Sequence, residues 1–337
     1  MKRIFIVTGL FISLHVFAQD TTMNSLTRDM ENKADTNKLP VKIFNSDKAI
    51  NANTTEVVGK GKMDFKVTHN FDDMAGKRGG IRNFFGLDNS TDVRIGFHVG
   101  LTDRLNLNVA HAKGDLYSLR DDNSGSTKPP KGNLAFKLYE IALKYQLLRQ
   151  KENDPGHPVA VTIFAQTVIS TQAHDIANNK VVPDQPNSFE SFNDRMSQVL
   201  QVIIAKKIGK TSVQLNPTLV HYSYVPTYDD ATTFALGGAA RIPLSRTFAI
   251  IVDYFHPFIS DTKKNNYYDS SAIKFHDPLG IGVEITTAGH IFHLNFTNST
   301  GILENQFIPY TTTSWGKGQY RWGFTISRRF VLWREKK

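Results

Sequence analysis

The chain has 337 residues, of which 40% are hydrophobic, 11% aromatic and 21% charged, and its formal net charge is +9 at pH 7. It contains no cysteine, which excludes disulfide bonds, thiolate metal sites and a lipid-modified N-terminal cysteine. A basic chain often binds nucleic acid, but the export pattern described next argues against that partner and favours lipid phosphates or anionic solutes.

The N-terminus has the three parts of a secretory signal peptide. Lys2 and Arg3 supply positive charge, residues 4–17 are almost continuously apolar, and Ala18 ends a small-residue cleavage site. The apolar run is shorter than the about 20 residues that a transmembrane helix needs. We therefore predict a cleaved signal peptide over residues 1–18, with an uncleaved membrane anchor as the alternative.

The next segment, residues 19–55, is polar and rich in Asn, Thr, Asp and Lys, with little periodicity. Such a composition is typical of a chain that buries too little apolar surface to fold. We predict a flexible periplasmic lead-in. A short apolar patch at residues 41–44 is predicted either to pair with another segment or to enter the mouth of a barrel.

After the lead-in, apolar and polar side chains alternate. In the first such segment Met63 and Phe65 alternate with Lys62 and Asp64, and a period of two indicates a strand with two different faces. About twelve segments of roughly ten residues follow over residues 56–333, the length of a tilted membrane strand. No later window offers a long uncharged apolar stretch, and a closed barrel is the only non-helical structure that pairs every backbone polar group in lipid.

The connections between these segments alternate between short and long. The short ones lie at residues 101–104, 209–211, 244–246 and 287–289, and the long ones include residues 113–133, 171–194, 258–276 and 301–318. Short periplasmic turns and longer outer loops are typical of outer-membrane barrels. We predict an all-β fold, a transmembrane antiparallel up-and-down β-barrel of about 12 strands, located in the outer membrane.

The polar phase of the strands is predicted to face the lumen and carries charges of both signs. The candidates are Lys62, Asp64, Lys66, Asp92, Arg94, Glu140, Lys144, Arg241, Asp253, Glu284, Arg321 and Arg329. Two interpretations stay open. The charges either form a paired network that plugs the barrel, or they line a narrow pore with an anion bias from the basic excess.

Several amphipathic rings share the lipid-facing phase near the outer ends of upward-running strands. They are His69, His111, His221, Tyr254 and His256. We interpret them as an interfacial girdle at the level of the lipid headgroups, where such rings are favoured. A more specific hypothesis is that these rings contact lipopolysaccharide phosphates or take part in lipid modification.

Several ordered motifs resemble one family. They are Gly-Lys-Gly at 59–61, Asn-Phe-Phe-Gly-Leu-Asp at 83–88, Pro-Thr-Leu-Val-His at 217–221 and Ser-Trp-Gly-Lys-Gly at 314–318. Over residues 57–330 the chain resembles the outer-membrane β-barrel family of the Bacteroidota called domain of unknown function 5777 (DUF5777). It departs from that pattern in lacking a Gly-His pair at residues 51–55 and in continuing past Phe330 to Trp333. The resemblance implies an outer-membrane barrel without established activity and transfers no catalytic residue.

Three functions remain in competition. The leading prediction is a narrow channel or transporter for small, anion-leaning solutes, and the alternative is a non-conducting accessory barrel that binds partners or lipopolysaccharide through its outer loops. A lipid-modifying barrel enzyme is the third hypothesis. We expect no enzymatic activity, no cofactor and no metal. The expected partners are outer-membrane lipids and lipopolysaccharide, the barrel assembly machinery during insertion and a small solute, but no nucleic acid.

Overall fold

Twelve antiparallel strands close into a single barrel in the computed structural model, which describes residues 39–76, 79–88, 90–113, 137–171, 189, 191–299 and 301–333. Each strand pairs with its neighbours in the sequence, and β12 closes the ring on β1. The predicted all-β up-and-down barrel is therefore confirmed. The strands are β1 (Lys62–Asp73), β2 (Ser90–Gly100), β3 (Leu105–Lys113), β4 (Lys137–Leu148), β5 (Ala160–Ser170), β6 (Met196–Ile208), β7 (Thr211–Tyr222), β8 (Thr232–Pro243), β9 (Phe248–Phe258), β10 (Leu279–Thr286), β11 (His290–Thr297) and β12 (Arg321–Val331).

The two faces of the barrel wall have opposite chemistry. On β4 the outward side chains Ile141 and Leu143 are 51% and 49% exposed, whereas Glu140 and Lys144 between them are buried inside. Exposed apolar side chains in a continuous belt are costly in water and stable in lipid. The period of two in the sequence therefore reflects hydrocarbon on one side of each strand and a polar interior on the other.

The short turns and the long connections lie at opposite ends of the barrel. Among the described residues, the long end carries two α-helices, α1 (Asp261–Ser271) in the β9–β10 connection and α2 (Glu304–Tyr310) in the β11–β12 connection, and a 3-10 turn over Ile81–Gly86. Of the helices that the structure describes, none combines the length and the apolar character that crossing a membrane requires.

Residues 43–58, which we call the plug, fold into the barrel as a hairpin-like excursion. Just before it, the Val41 N–H donates to the carbonyl of Gln150 at the short-turn end of the barrel (2.8 Å). The chain rises, turns where the Ala49 N–H donates to the Ala52 carbonyl (2.8 Å), and descends until the Val58 N–H reaches Asn106 Oδ1 on β3 (3.1 Å). The plug then leads directly into β1.

This corrects the prediction of a flexible lead-in over residues 19–55. Residues 43–55 are folded against the barrel wall, and residues 19–38 lie outside the described part of the chain. Two apolar side chains of the plug, Ile43 and Phe44, pack against Ala160 and Ala205. The polar composition that suggested disorder suits a polar lumen, because polar groups of the plug such as Asn45 and Asn51 hydrogen-bond to the wall.

The helix α2 enters the lumen from the opposite end. All seven of its residues are buried, although the sequence predicted an outer loop over residues 301–318. Its Phe307, Ile308 and Tyr310 join an apolar cluster with wall residues that include Leu138 and Phe255. The apolar side chains of α2 therefore pack against the wall and against Ala49 and Ala52 at the tip of the plug.

A close approach of Gly237 to Phe255 maintains this packing. A Cβ atom at position 237 would lie 2.2 Å from the Phe255 ring, and that ring packs edge-on against Phe307 at 5.3 Å between centroids. We expect Gly237→Ala to lower the unfolding free energy in micelles by about 1–3 kcal/mol because Phe255 must move. Gly237→Ala/Phe255→Leu should recover most of this loss. Gly289→Ala, where a Cβ meets nothing within 4 Å, is the control, and an equal effect of both glycine substitutions would contradict the argument.

Candidate functional site

The tip of the plug is fixed to one carboxylate on β9. Oδ2 of Asp253 accepts the backbone N–H groups of Ile50 (2.9 Å), Asn51 (2.6 Å) and Ala52 (2.9 Å). Oδ1 accepts the side-chain amide of Asn51 at 3.0 Å. Hydrogen bonds to an ionised acceptor are stronger than neutral ones, so this cradle of amides both satisfies the buried Asp253 and anchors the tip.

Lower in the plug, at Asp47, the carboxylate belongs to the plug and its partners belong to the wall. Its buried carboxylate contacts the Lys66 ammonium of β1 and Nδ1 of His98 on β2. The Lys66 ammonium also donates to Ser46 Oγ (3.0 Å), and the Lys144 ammonium of β4 donates to the Asp47 carbonyl (3.0 Å). The plug therefore supplies a negative charge and polar oxygens to a basic part of the wall.

The plug and α2 meet at Glu304. Its Oε1 pairs with the Lys48 ammonium at 2.6 Å and accepts the side-chain amide of Asn53 at 2.9 Å. The Glu304 side chain is 1% exposed and that of Lys48 is 12% exposed. Because Lys48 and Asn53 belong to the plug and Glu304 to α2, this junction joins the two elements inside the barrel.

Ion pairs between strands complete the lumen wall. Arg94 and Glu140 form a bidentate pair with distances of 2.8 and 3.1 Å, and Arg241 donates to Glu284 at 2.8 Å. At the periplasmic rim Arg329 makes a bidentate pair with Asp64 at 2.7 and 2.8 Å. These pairs match the interpretation of a paired network rather than that of rows of unpaired charge lining a pore.

The structure places the predicted lumen charges on the inward phase at different depths. Eight are buried, namely Asp64, Lys66, Arg94, Glu140, Lys144, Asp253, Glu284 and Arg321. Asp92 and Arg241 are half-buried, and Lys62 and Arg329 are exposed near the ends of β1 and β12. Those that contact the plug directly through side chains are Lys66, Lys144, Asp253 and Glu284.

The predicted girdle residues all lie on the outward phase toward the outer end. His69 donates from Nδ1 to the Asp92 carbonyl (2.8 Å) and packs on Phe71, and His111 packs edge-on against Tyr139. His221 contacts Thr232 Oγ1 at 2.8 Å. Tyr254 and His256 share the carboxylate of Asp277. The structure joins only the last two into a cluster, and contact of these rings with lipid stays a prediction.

One carboxyl group of the plug lies outside the strands and near the periplasmic mouth. Glu56 Oε1 accepts the backbone N–H groups of Ile43 and Phe44, each at 3.1 Å. Burial raises the pKa of the Glu56 carboxyl above its ordinary 4.5, although these amides and the nearby Lys42 and Lys144 act in the opposite direction. The carboxyl therefore takes up a proton on folding in the window just above pH 4.5.

This shift makes plug stability depend on pH. The contribution of Glu56 to the free energy of plug opening is fully present below pH 4.5 and is lost as the pH rises through the raised pKa. We expect Glu56→Gln, which does not titrate, to lack this decrease. Hydrogen exchange of the amides of Ile43 and Phe44, corrected for intrinsic rates, measures it. An identical pH dependence in both proteins would show that Glu56 is not responsible.

A closed ring of twelve strands, an apolar exterior and a charge-paired interior define an integral membrane β-barrel. Residues 44–330 match the family described as "Membrane bound beta barrel domain (DUF5777)", and the chain belongs to this family. The match begins inside the plug, at Phe44. The protein is located in the outer membrane, as predicted, while the signal peptide over residues 1–18 lies outside the described residues and stays a prediction.

Several solved structures are similar to this chain at low sequence identity, with TM-scores below 0.5. A KdgM porin is 6% identical with a TM-score of 0.43, covering 80% of this chain and 99% of that chain. The COG4313 outer membrane channel from Pseudomonas putida F1 is 13% identical with a TM-score of 0.42, covering 82% and 98%. LpxR from Salmonella typhimurium is 11% identical with a TM-score of 0.36, covering 80% and 99%. No curated protein matches the sequence.

Sequence reasoning missed the residues that join the plug to the barrel wall and to α2. Asp47, Asn51 and Asn53 fell in the segment predicted to be flexible, and Glu304 fell in a predicted outer loop. One signal was available for α2, because the apolar residues around Phe307 are unusual in a loop facing water. No local pattern identifies the partners of the plug, which lie on distant strands.

Proposed function

We propose that this protein is an outer-membrane barrel that does not conduct in its resting state and that acts through its outer surface. The junction at Glu304 carries the proposal, because there the plug and α2 meet inside the lumen at 2.6 and 2.9 Å. The direct ion pair and hydrogen bond there leave no room for a hydrated ion between Glu304 and its partners Lys48 and Asn53. The proposal includes no catalytic step.

Accessory function through the outer loops fits a closed lumen. The ends of the long connections are joined to rigid strands, and loops on such a scaffold commonly carry binding function. The loops that first suggested this role, residues 113–133 and 171–194, lie largely outside the described residues.

A second candidate, a channel that opens when the plug withdraws, is favoured by one observation. The contacts between the plug and the wall are mostly polar, and polar contacts exchange with water at a lower net cost than apolar ones. The anion preference predicted from the sequence is not part of this candidate. Among the described strand residues, buried acidic side chains outnumber basic ones; the acids are Asp64, Asp72, Asp73, Glu140, Asp253 and Glu284, and the bases are Lys66, Arg94, Lys144 and Arg321.

Conductance of the purified protein in a planar lipid bilayer tests the proposal. We expect the intact protein to be silent, because the plug and α2 together close the lumen. Steady, discrete conductance of the intact protein would overturn the closed-barrel proposal. A variant lacking residues 43–58 separates the two candidates: conductance of this variant supports a gated channel, and silence supports an accessory barrel closed by α2 as well.

A further inference from the structure

A cleft of about 490 Å³ lies at the outer end of β9, outside the lumen and its plug. Its walls come from the end of β9, from α1 and from the segment that leads to β10. The residues that matter for its chemistry are His256, Phe258, Lys264, Phe275, His276 and Asp277. A volume of this size lies within the common range for small-ligand sites.

The cleft is continuous with the lipid-facing side of the barrel. Along β9 the outward residues His256 and Phe258 are exposed and alternate with the buried Phe255 and Pro257. The Phe258 ring stacks on Phe234 of β8, with ring centroids 5.5 Å apart. An apolar track therefore leads from the exterior belt of the barrel into the cleft.

The acidic side chains of the cleft already accept hydrogen bonds from the protein. Asp230 accepts the backbone N–H and the hydroxyl of Ser260, at 3.0 and 2.7 Å. Asp277 Oδ2 accepts the Tyr254 hydroxyl and His256 Nδ1, the latter at 2.9 Å. Since a carboxylate only accepts, the His256 ring donates from Nδ1, and Nε2 is left as its second polar atom.

The basic side chains around the cleft differ in how firmly they are paired. Lys264 pairs only loosely with Asp261, at 3.5 Å, and these two side chains are 51% and 92% exposed. Its neighbour Lys263 is buried against Asp229 at 2.6 Å and fixes α1 in place. His276 is held through its backbone N–H, which donates to the Thr311 carbonyl at 2.8 Å. The cleft thus combines the exposed ammonium of Lys264, on a helix that Lys263 fixes in place, with aromatic surface.

We propose that this cleft binds the phosphorylated headgroup of an outer-leaflet lipid, with an acyl chain along Phe258 and Phe234. The phosphate oxygens accept hydrogen bonds, and Lys264 supplies a cationic donor at the point where the apolar track ends. A soluble phosphate would use the same donors but would gain nothing from the exposed aromatic pair. The inference is independent of the plug and of whether the lumen conducts.

Binding of phosphatidic acid in mixed micelles to the detergent-purified protein tests this site. We expect His256→Gln/Lys264→Gln to weaken binding at least about tenfold and Lys264→Arg to retain it. The matched control is His157→Gln/Lys210→Gln, which changes the same residue types at the opposite, short-turn end of the barrel and should bind as the wild type does. Retention of the folded, heat-modifiable band in electrophoresis verifies that each variant is intact.

Two further probes identify the source of the phosphate. We expect diacylglycerol, which lacks the phosphate, to bind at least about tenfold more weakly than phosphatidic acid, and inorganic phosphate to compete poorly. Equal binding of the wild type and the cleft variant, or equal binding of phosphatidic acid and diacylglycerol, would overturn the proposed site. Competition by inorganic phosphate at the same concentration as the lipid would overturn the lipid as occupant.

Discussion

Asp47→Ala is expected to lower the free energy of plug opening by about 3–5 kcal/mol. The substitution leaves Lys66 and His98 buried without the carboxylate that both contact, and an unpaired buried charge is far more costly than a missing surface pair. Hydrogen exchange of the amides of residues 43–58 in lipid nanodiscs measures the opening free energy directly. The strands should keep their protection, because their ladder hydrogen bonds are unchanged.

Two further variants test this explanation. Asp47→Ala/Lys66→Met also removes the ammonium group that Asp47→Ala leaves without its carboxylate partner. This double variant should recover part of the lost free energy of plug opening. Asp64→Ala breaks the pair with Arg329, which joins β1 to β12 without involving the plug, and should leave plug exchange unchanged. Wild-type exchange rates in Asp47→Ala would show that Asp47 does not hold the plug.

Asp253→Asn is expected to release the tip of the plug at a cost of about 3 kcal/mol. The change preserves the shape of the side chain but removes the charge that accepts the N–H groups of Ile50, Asn51 and Ala52. Hydrogen bonds to charged groups each contribute about 1.5–3 kcal/mol, and the amide keeps one oxygen as a weaker acceptor. Faster exchange should therefore be confined to residues 49–53.

Glu284→Gln is the matched control for the tip. Glu284 contacts the plug at Asn45, near its beginning, and should leave exchange at residues 49–53 unaltered. Unchanged tip exchange in Asp253→Asn, or equal acceleration in both variants, would contradict the role of Asp253 as the anchor.

The barrel itself was predictable from the sequence because its cause is local. On β4, Ile141 and Leu143 lie on one side of the strand, and Glu140 and Lys144 lie on the other. This alternation, visible within a few residues of sequence, indicates an apolar environment on one side and a polar one on the other. The same reasoning on other segments predicted the strand number and the inward phase of residues such as Asp253.

The positions of the plug and α2 inside the lumen were not predictable in the same way, because the residues that they contact are distant in the sequence. Asn51 is 202 residues away from Asp253, and Lys48 is 256 residues away from Glu304. Polar segments whose partners are not visible have the composition of disordered chain. The predicted anion preference stays a prediction, because counting charges on one phase of the strands does not show which of them are paired.

Cross-linking in native membranes tests the position of the plug most directly. The chain has no cysteine, so Asn51→Cys/Thr297→Cys introduces a unique pair at positions whose side chains are 3.1 Å apart in the wild type. We expect oxidation or a short bis-maleimide to join the two positions in intact outer membranes, whereas Asn51→Cys with Thr287→Cys in the β10–β11 turn stays unlinked. Absence of the Asn51–Thr297 link, with both thiols reactive toward a small maleimide, would contradict a plug folded inside the barrel.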